Sequence, residues 1–337
     1  MGALSPVPRL LAHGYFLASA TIRLSVLFIR ASRYFKKNGL RDLELAPEQQ
    51  VRYSAKRHRH YFLGAVFLGA VFGRKRGRAL DRAELRRFSN LAALACFFDD
   101  LTDGVRGSSA LFDGSLTTIE AFARVADPSG MALHLLEKTR ATLPRGNAEP
   151  FHDALRRVFQ LEVANRQQQL PPPSPDEIAR LTAEKGGYSV MLFRCLLAEP
   201  ITAPEWETVL AFGCLVQLSD DIFDLWHDRQ NETATVATFF AAQNDVEQLA
   251  AFFEQQVAAV SRAIRQTTIP SVQQETALRT VHFLVSITRV CLRHYHVLRK
   301  KHGTLPLHDR RAMVVDMARW HMRLQAVQNV TLQPETL

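Results

Sequence analysis

Aspartates at helical spacing occur twice in this chain. The first set, Asp99, Asp100 and Asp103, follows Cys96-Phe97-Phe98, and a spacing of four puts Asp99 and Asp103 on one face of a helix. Carried backward, that face passes Cys96, Ala95, Ala92, Phe88 and Leu85, a stripe suited to a core. The second set, Asp220, Asp221, Asp224 and Asp228, follows Gln217-Leu218-Ser219. Here Asp220, Asp224 and Asp228 form a ladder of successive four-residue steps that continues the stripe of Trp206, Leu210, Gly213, Cys214 and Gln217. Carboxylates this close repel one another and raise each other's pKa, so they call for cations or protons. Hard oxygen ligands select a hard cation. Mg²⁺ takes one or two carboxylates, keeps several waters and bridges to phosphate oxygens, whereas Ca²⁺ needs more protein oxygens arranged in a loop. Neither set has the form of an EF-hand. The single Glu-x-x-His, Glu149-Pro150-Phe151-His152, begins on a Pro-interrupted segment and argues against a di-iron bundle. The competing reading is two solvated acidic helix ends that bind nothing.

The segments Asp99-Asp100-Leu101-Thr102-Asp103 and Gln217-Leu218-Ser219-Asp220-Asp221-Ile222-Phe223-Asp224 resemble the two facing aspartate motifs of class I isoprenoid synthases. That superfamily holds trans-prenyl diphosphate synthases, squalene and phytoene synthases and class I terpene cyclases. In order and spacing the resemblance covers roughly residues 50–300. It implies one large antiparallel all-α bundle with a central apolar cavity, a trinuclear Mg²⁺ cluster, and ionisation of an allylic diphosphate. It also implies diphosphate contacts from Lys185 and Arg180, which precede Gly186-Gly187, where the superfamily breaks a helix toward its ligand. Arg229, directly after Asp228, and the late Arg293-His294-Tyr295 are further candidates.

The same resemblance bears on reaction type. Chain-elongating members carry paired arginines after the first motif and a Gly-Gly-Lys-like segment ahead of it. Here Gly104-Val105-Arg106-Gly107 supplies one arginine, and Gly73-Arg74-Lys75-Arg76-Gly77 lies close to Asp99. Head-to-head synthases use D-x-x-x-D, which Asp99 to Asp103 and Asp224 to Asp228 satisfy. Cyclases need one diphosphate and pair their first motif with Asn/Asp, Ser/Thr and Glu, where this chain has three aspartates. The expectation is a terpene synthase acting on one prenyl diphosphate, with a condensing prenyltransferase as the alternative and a non-enzymatic basic helical module as the third reading.

The elements that must position these residues are helices, because apolar residues recur at helical and not alternating spacing along almost the whole chain. The pattern predicts helices over 7–37, 48–72, 80–102, 115–125, 129–141, 149–169, 175–197, 204–228, 244–266, 270–301 and 307–327, broken at Pro, Gly and Asn clusters such as Asn38-Gly39. An amphipathic helical extension over 1–47 precedes a bundle over 48–330. With 337 residues and 47% apolar content the chain can build a sizeable core. The four cysteines lie far apart among apolar neighbours, as reduced core residues of a cytoplasmic protein would. Charge is uneven: residues 1–98 hold 18 Lys/Arg and 5 Asp/Glu, the remainder 24 and 28. Leu10 to Ile29 is apolar, but His13 and Arg23 interrupt it, so it falls short of a membrane span. The expected partners are a prenyl diphosphate and a second copy of the chain, with no nucleic acid; the first helix is expected to pack on the bundle, with contact to a membrane surface as the alternative.

Overall fold

Helical periodicity carries through to the structure, a computed structural model that describes residues 6–51, 53–104, 117–167 and 174–315; helices and no strand occur among them, so the protein is all-α. The elements are α1 (Pro6–Leu43), α2 (Pro47–Gln50), α3 (Ala55–Lys75), α4 (Arg82–Gly104), α5 (Ile119–Ala126), α6 (Met131–Ala141) and α7 (Ala148–Gln167). They are followed by α8 (Pro175–Cys195), α9 (Ala203–Phe223), α10 (Leu225–Gln230), α11 (Val236–Ala242), α12 (Val246–Arg265), α13 (Ser271–His302) and α14 (Arg310–Met313). The chain forms two compact units, one of 24–169 with 188–209, the other of 1–23 with 170–187 and 210–337. All four cysteines are buried and unbridged. No helix among the described residues is long and apolar enough to cross a membrane.

In the first unit α3 packs on α4, and α4 on α6. Phe35 of α1 meets the His58 ring edge-on at 4.8 Å and lies 5.6 Å from Phe62. His58 is buried; its Nε2–H donates to the Ser89 carbonyl at 2.8 Å, leaving Nδ1 to accept from the Tyr53 hydroxyl at 2.8 Å. Burial pushes the imidazole down to about 4 although the Ser89 bond favours its charged form. The unfolded chain therefore takes up this proton first, near the ordinary histidine value, and stability present above about pH 6.5 is lost as pH falls toward 4. The loss is expected to reach at most about 3 kcal/mol. Urea titrations across this range should show a flatter pH dependence for His58→Gln than for the wild type; equal slopes would mean that His58 does not charge on unfolding.

Charged groups of this unit are also spent on the fold. Arg76 donates to Glu84 at 2.9 Å and pairs with Glu199, while Arg78 reaches Glu84 at 2.7 Å and Glu199 at 3.1 Å. Burial alone would push the Glu84 carboxyl up, but the Arg76 and Arg78 guanidiniums and the Asp81 backbone outweigh it and hold it down at about 2.

In the second unit α12 packs on α13 and α11 on α12. Arg289 of α13 clasps Glu254 of α12 through two bonds of 2.7 and 2.6 Å. Asp245 caps α12 by accepting from the Gln248 N–H, and α13 ends at Gly303, whose φ of 77° favours glycine.

Four local expectations are corrected. α1 does not stop at Asn38-Gly39 but runs to Leu43, because Asn38 is buried and its amide donates back to the Tyr34 carbonyl at 3.1 Å. The helix expected over 48–72 is divided between α2, which ends at Gln50, and α3, which starts at Ala55. There the buried Gln49 accepts from the Ala46 N–H and donates to the Ser129 carbonyl, fixing α2 as a separate short turn. An unpredicted helix, α11, starts at Thr235, which accepts from the Thr238 N–H in a capping box. The last predicted helix, 307–327, is four residues long as far as it is described; Val314 takes extended geometry after Met313, and 316–327 lie outside the described residues.

Candidate functional site

α4 delivers the first aspartate set as its stripe requires: Phe88, Ala92 and Cys96 are buried, and the helix then exposes Asp99 and Asp100 in part. Two residues of α3, one turn apart, meet them. Arg57 Nη2 donates to Asp99 Oδ2 at 3.1 Å and the same guanidinium pairs with Asp100, while the Tyr61 hydroxyl donates to Asp99 Oδ2 at 2.7 Å. Burial, then the Asp99 charge, pushes the Tyr61 phenol up, so it stays a donor. The side chain of Asp103, on the last turn of α4, lies outside the described residues. Beside Asp100 is a pocket lined by Tyr53, His58, Cys96, Phe97 and Leu135, with a volume of ≈ 20 Å³. That is room for a water molecule, and it does not correspond to the apolar cavity expected for a prenyl chain.

The second set stands where α8 and α9 press together. Gly186 and Gly187 do not break α8, which is continuous from Pro175 to Cys195. A Cβ on Gly186 would lie 2.5 Å from Gln217 Cβ, and one on Gly213 would lie 2.5 Å from Gly187 Cα, so the glycines permit backbone contact between the helices. The broken helix implied by the resemblance is thus absent; close packing accounts for the pair.

This packing turns Asp221 inward. It is buried and accepts from Gln217 Nε2 at 2.9 Å and from the Thr182 hydroxyl at 3.3 Å. Burial pushes its carboxyl up to about 6, against those two bonds and the Lys185 charge. Asp220 and Asp224 are exposed and Asp228 is half-buried. The assigned helix breaks at Asp224, yet its N–H donates to Asp220 at 2.9 Å and that of Asp228 to Asp224 at 2.8 Å, so the backbone path still carries the ladder. Burial, followed by the charges of Asp221, Asp224 and Asp220, raises Asp228 to about 7, with Lys185 opposing.

The remaining sequence candidates have distinct settings. Lys185 is half-buried and acts electrostatically on both Asp221 and Asp228. Arg180 is exposed one turn and more upstream and bridges Glu184 at 3.1 Å. Arg229 and Arg293 are exposed. Tyr295 is only 1% exposed, and its hydroxyl donates to the Ile222 carbonyl at 2.9 Å, bracing α9 behind the aspartates. Three residues escaped sequence reasoning. Arg57 and Tyr61 approach Asp99 from about forty positions away, and Arg310 stands 5.6 Å over the Trp226 ring. The available signals were the basic cluster Lys56-Arg57-His58-Arg59-His60 and the four-residue spacing of Arg57 and Tyr61.

Among the described residues no group of three or more His, Cys, Asp or Glu side chains is gathered as a protein cage for a metal. The donors offered are carboxylate oxygens, and Asp228 is charge-crowded by its neighbours. Carboxylate oxygens are the donor class that a hard divalent cation such as Mg²⁺ takes. The chain matches no protein-family model, and no curated protein or solved structure matches it.

Proposed function

We propose that this protein is a Mg²⁺-dependent enzyme of the class I isoprenoid synthase type that ionises an allylic prenyl diphosphate and releases a terpene hydrocarbon or alcohol. The observation that carries the reading is the second aspartate set, in which Asp220 and Asp224 are exposed beside the half-buried Asp228, whose carboxyl is raised by burial and then by the charges of Asp221, Asp224 and Asp220, with Lys185 of α8 opposing. Asp220, Asp224 and Asp228 would hold Mg²⁺ there, as Asp99 and Asp100 would at the end of α4. Bound Mg²⁺ supplies positive charge that stabilises the diphosphate as a leaving group. Lys185 adds a donor to phosphate oxygen. The allylic C–O bond breaks, its electron pair leaves with the diphosphate, and the cation loses a proton or captures water.

One observation weighs against the condensing alternative. A second diphosphate needs cations near the first motif beyond Arg57, which pairs with Asp99 and Asp100, and Arg76, from the segment expected to supply one, is nearly buried between Glu84 and Glu199. The test is incubation with Mg²⁺ and allylic diphosphates of several lengths, with and without isopentenyl diphosphate. Products of unchanged carbon number together with released diphosphate are expected. Products lengthened by an isoprene unit or doubled would install the prenyltransferase, and no consumption of any substrate would leave a helical module without this activity.

Lys185→Ala is expected to weaken inorganic diphosphate binding in the presence of Mg²⁺ by about tenfold, the value of one charge-assisted contact of roughly 1.4 kcal/mol. The same change should lower folding stability by less than this, by about 1 kcal/mol or less. A large drop in thermal midpoint with unchanged affinity would make Lys185 a packing residue.

A further inference from the structure

Residues 1–41 contain seven Lys/Arg and no Asp or Glu. In the described part of α1 these charges share a face with aliphatic side chains that are not buried. Val26 is 44% exposed, Ile29 50% and Leu40 45%. Steps of three, four and seven residues align them with Arg30, Arg33, Lys36 and Lys37, all exposed. The opposite face carries Leu24, Ala31 and Phe35, all buried. The helix therefore has an inner apolar stripe for its own core and an outer face on which aliphatic and cationic groups alternate.

Neighbouring groups extend the charge and do not cancel it. Arg59 of α3 donates to Ser32 of α1 at 3.4 Å, which brings the exposed Lys56, Arg59 and His60 alongside. The first acid after this stretch, Asp42, is buried and accepts from the Tyr34 hydroxyl at 2.5 Å. The next, Glu44, bridges Arg86 at 2.9 Å and Lys138 at 2.6 Å.

We infer that the outer face of α1 docks on an anionic lipid bilayer, with Val26, Ile29 and Leu40 entering the headgroup boundary and Arg30, Arg33, Lys36 and Lys37 meeting lipid phosphates. Charge complementarity limits the choice to polyanions, and the aliphatic residues decide among them. A nucleic-acid backbone offers phosphates and nothing that rewards burial of Val or Ile. A bilayer interface rewards both kinds of side chain, and two weak signals together give stable attachment. This inference stands apart from the proposed reaction, since none of the residues it uses belongs to either aspartate set.

The test is flotation of the full chain with vesicles of phosphatidylcholine and phosphatidylglycerol in equal amounts, with phosphatidylcholine vesicles as the neutral comparison. The wild type should float with the anionic vesicles alone, and less so as salt rises. A variant carrying Arg30→Gln, Arg33→Gln, Lys36→Gln and Lys37→Gln should lose partitioning on the order of a hundredfold or more, at about fivefold per charge. Val26→Ser with Ile29→Ser should also lose about tenfold or more, with unchanged circular dichroism, because both positions face outward. Wild-type protein that stays below the anionic vesicles would overturn the inference. So would an aliphatic variant that floats as well as the wild type, and a wild type that binds a DNA duplex in preference to the vesicles would reassign the face to nucleic acid.

Discussion

Asp99→Asn and Asp220→Asn should each lower turnover of an allylic diphosphate by at least about a hundredfold, and excess chelator should abolish it in the wild type. Asparagine keeps the shape of aspartate and removes the charge that a hard divalent cation requires. The two sites differ in what else the change disturbs. Asp220 is exposed, and a solvent-exposed contact is worth at most about 1 kcal/mol, so its variant should stay folded. Asp99 accepts from Arg57 and Tyr61, but the Arg57 pair is more than a third open to solvent on both sides and is worth at most about 1 kcal/mol. Folding should survive in both. Near-normal turnover in both variants, with unchanged circular dichroism, would place the chemistry elsewhere; full turnover in chelator would remove Mg²⁺ from the reading.

The Arg57 contact also shows what the sequence could and could not convey. Helix identity was legible because stripes such as Phe88, Ala92 and Cys96 are local and periodic, and the structure buries these three. Partners were not legible, since Arg57 and Asp99 lie far apart in sequence and nothing in either segment names the other. Periodicity carried one helix through Gly186-Gly187, as α8 does, and the break there was implied by the resemblance alone. The reason for the pair lies in Gly213 and Leu210, against which both glycines pack. Asn38-Gly39 failed as a break, because its intrinsic preference to end a helix is overridden by burial. Within the second aspartate set, spacing alone treated Asp221 as another ligand. Only the packing of α8 on α9 separates it, buried under Thr182 and Gln217, from Asp220 and Asp224, which face solvent.

Glu205→Ala should destabilise the protein by about 3–5 kcal/mol, because it leaves the buried Arg194 guanidinium without its charge partner. Arg194, near the end of α8, is 1% exposed, and Glu205, in the first turns of α9, receives its Nε at 2.8 Å and its Nη2 at 2.7 Å. The same guanidinium donates to the Glu199 carbonyl at 3.0 Å and to the Pro200 carbonyl at 3.3 Å, so one side chain ties together the turn between the two helices. Removing Glu205 leaves a buried charge with carbonyls alone as partners, which places the loss toward the lower end of that range. Removing both charges is a different experiment. In Arg194→Met with Glu205→Leu no ion remains to be desolvated, and the partly open Glu199 and Pro200 region lets water reach the carbonyls that Arg194 released. The double variant should therefore recover most of the stability lost by Glu205→Ala, the non-additivity expected of groups in direct contact. Urea unfolding of the wild type, Glu205→Ala and the double variant decides the point. If Glu205→Ala stays within about 1 kcal/mol of the wild type, the pair is a surface-like contact; if the double variant is as unstable as the single one, Arg194 holds this turn through its carbonyl bonds and shape, with little contribution from its charge partner.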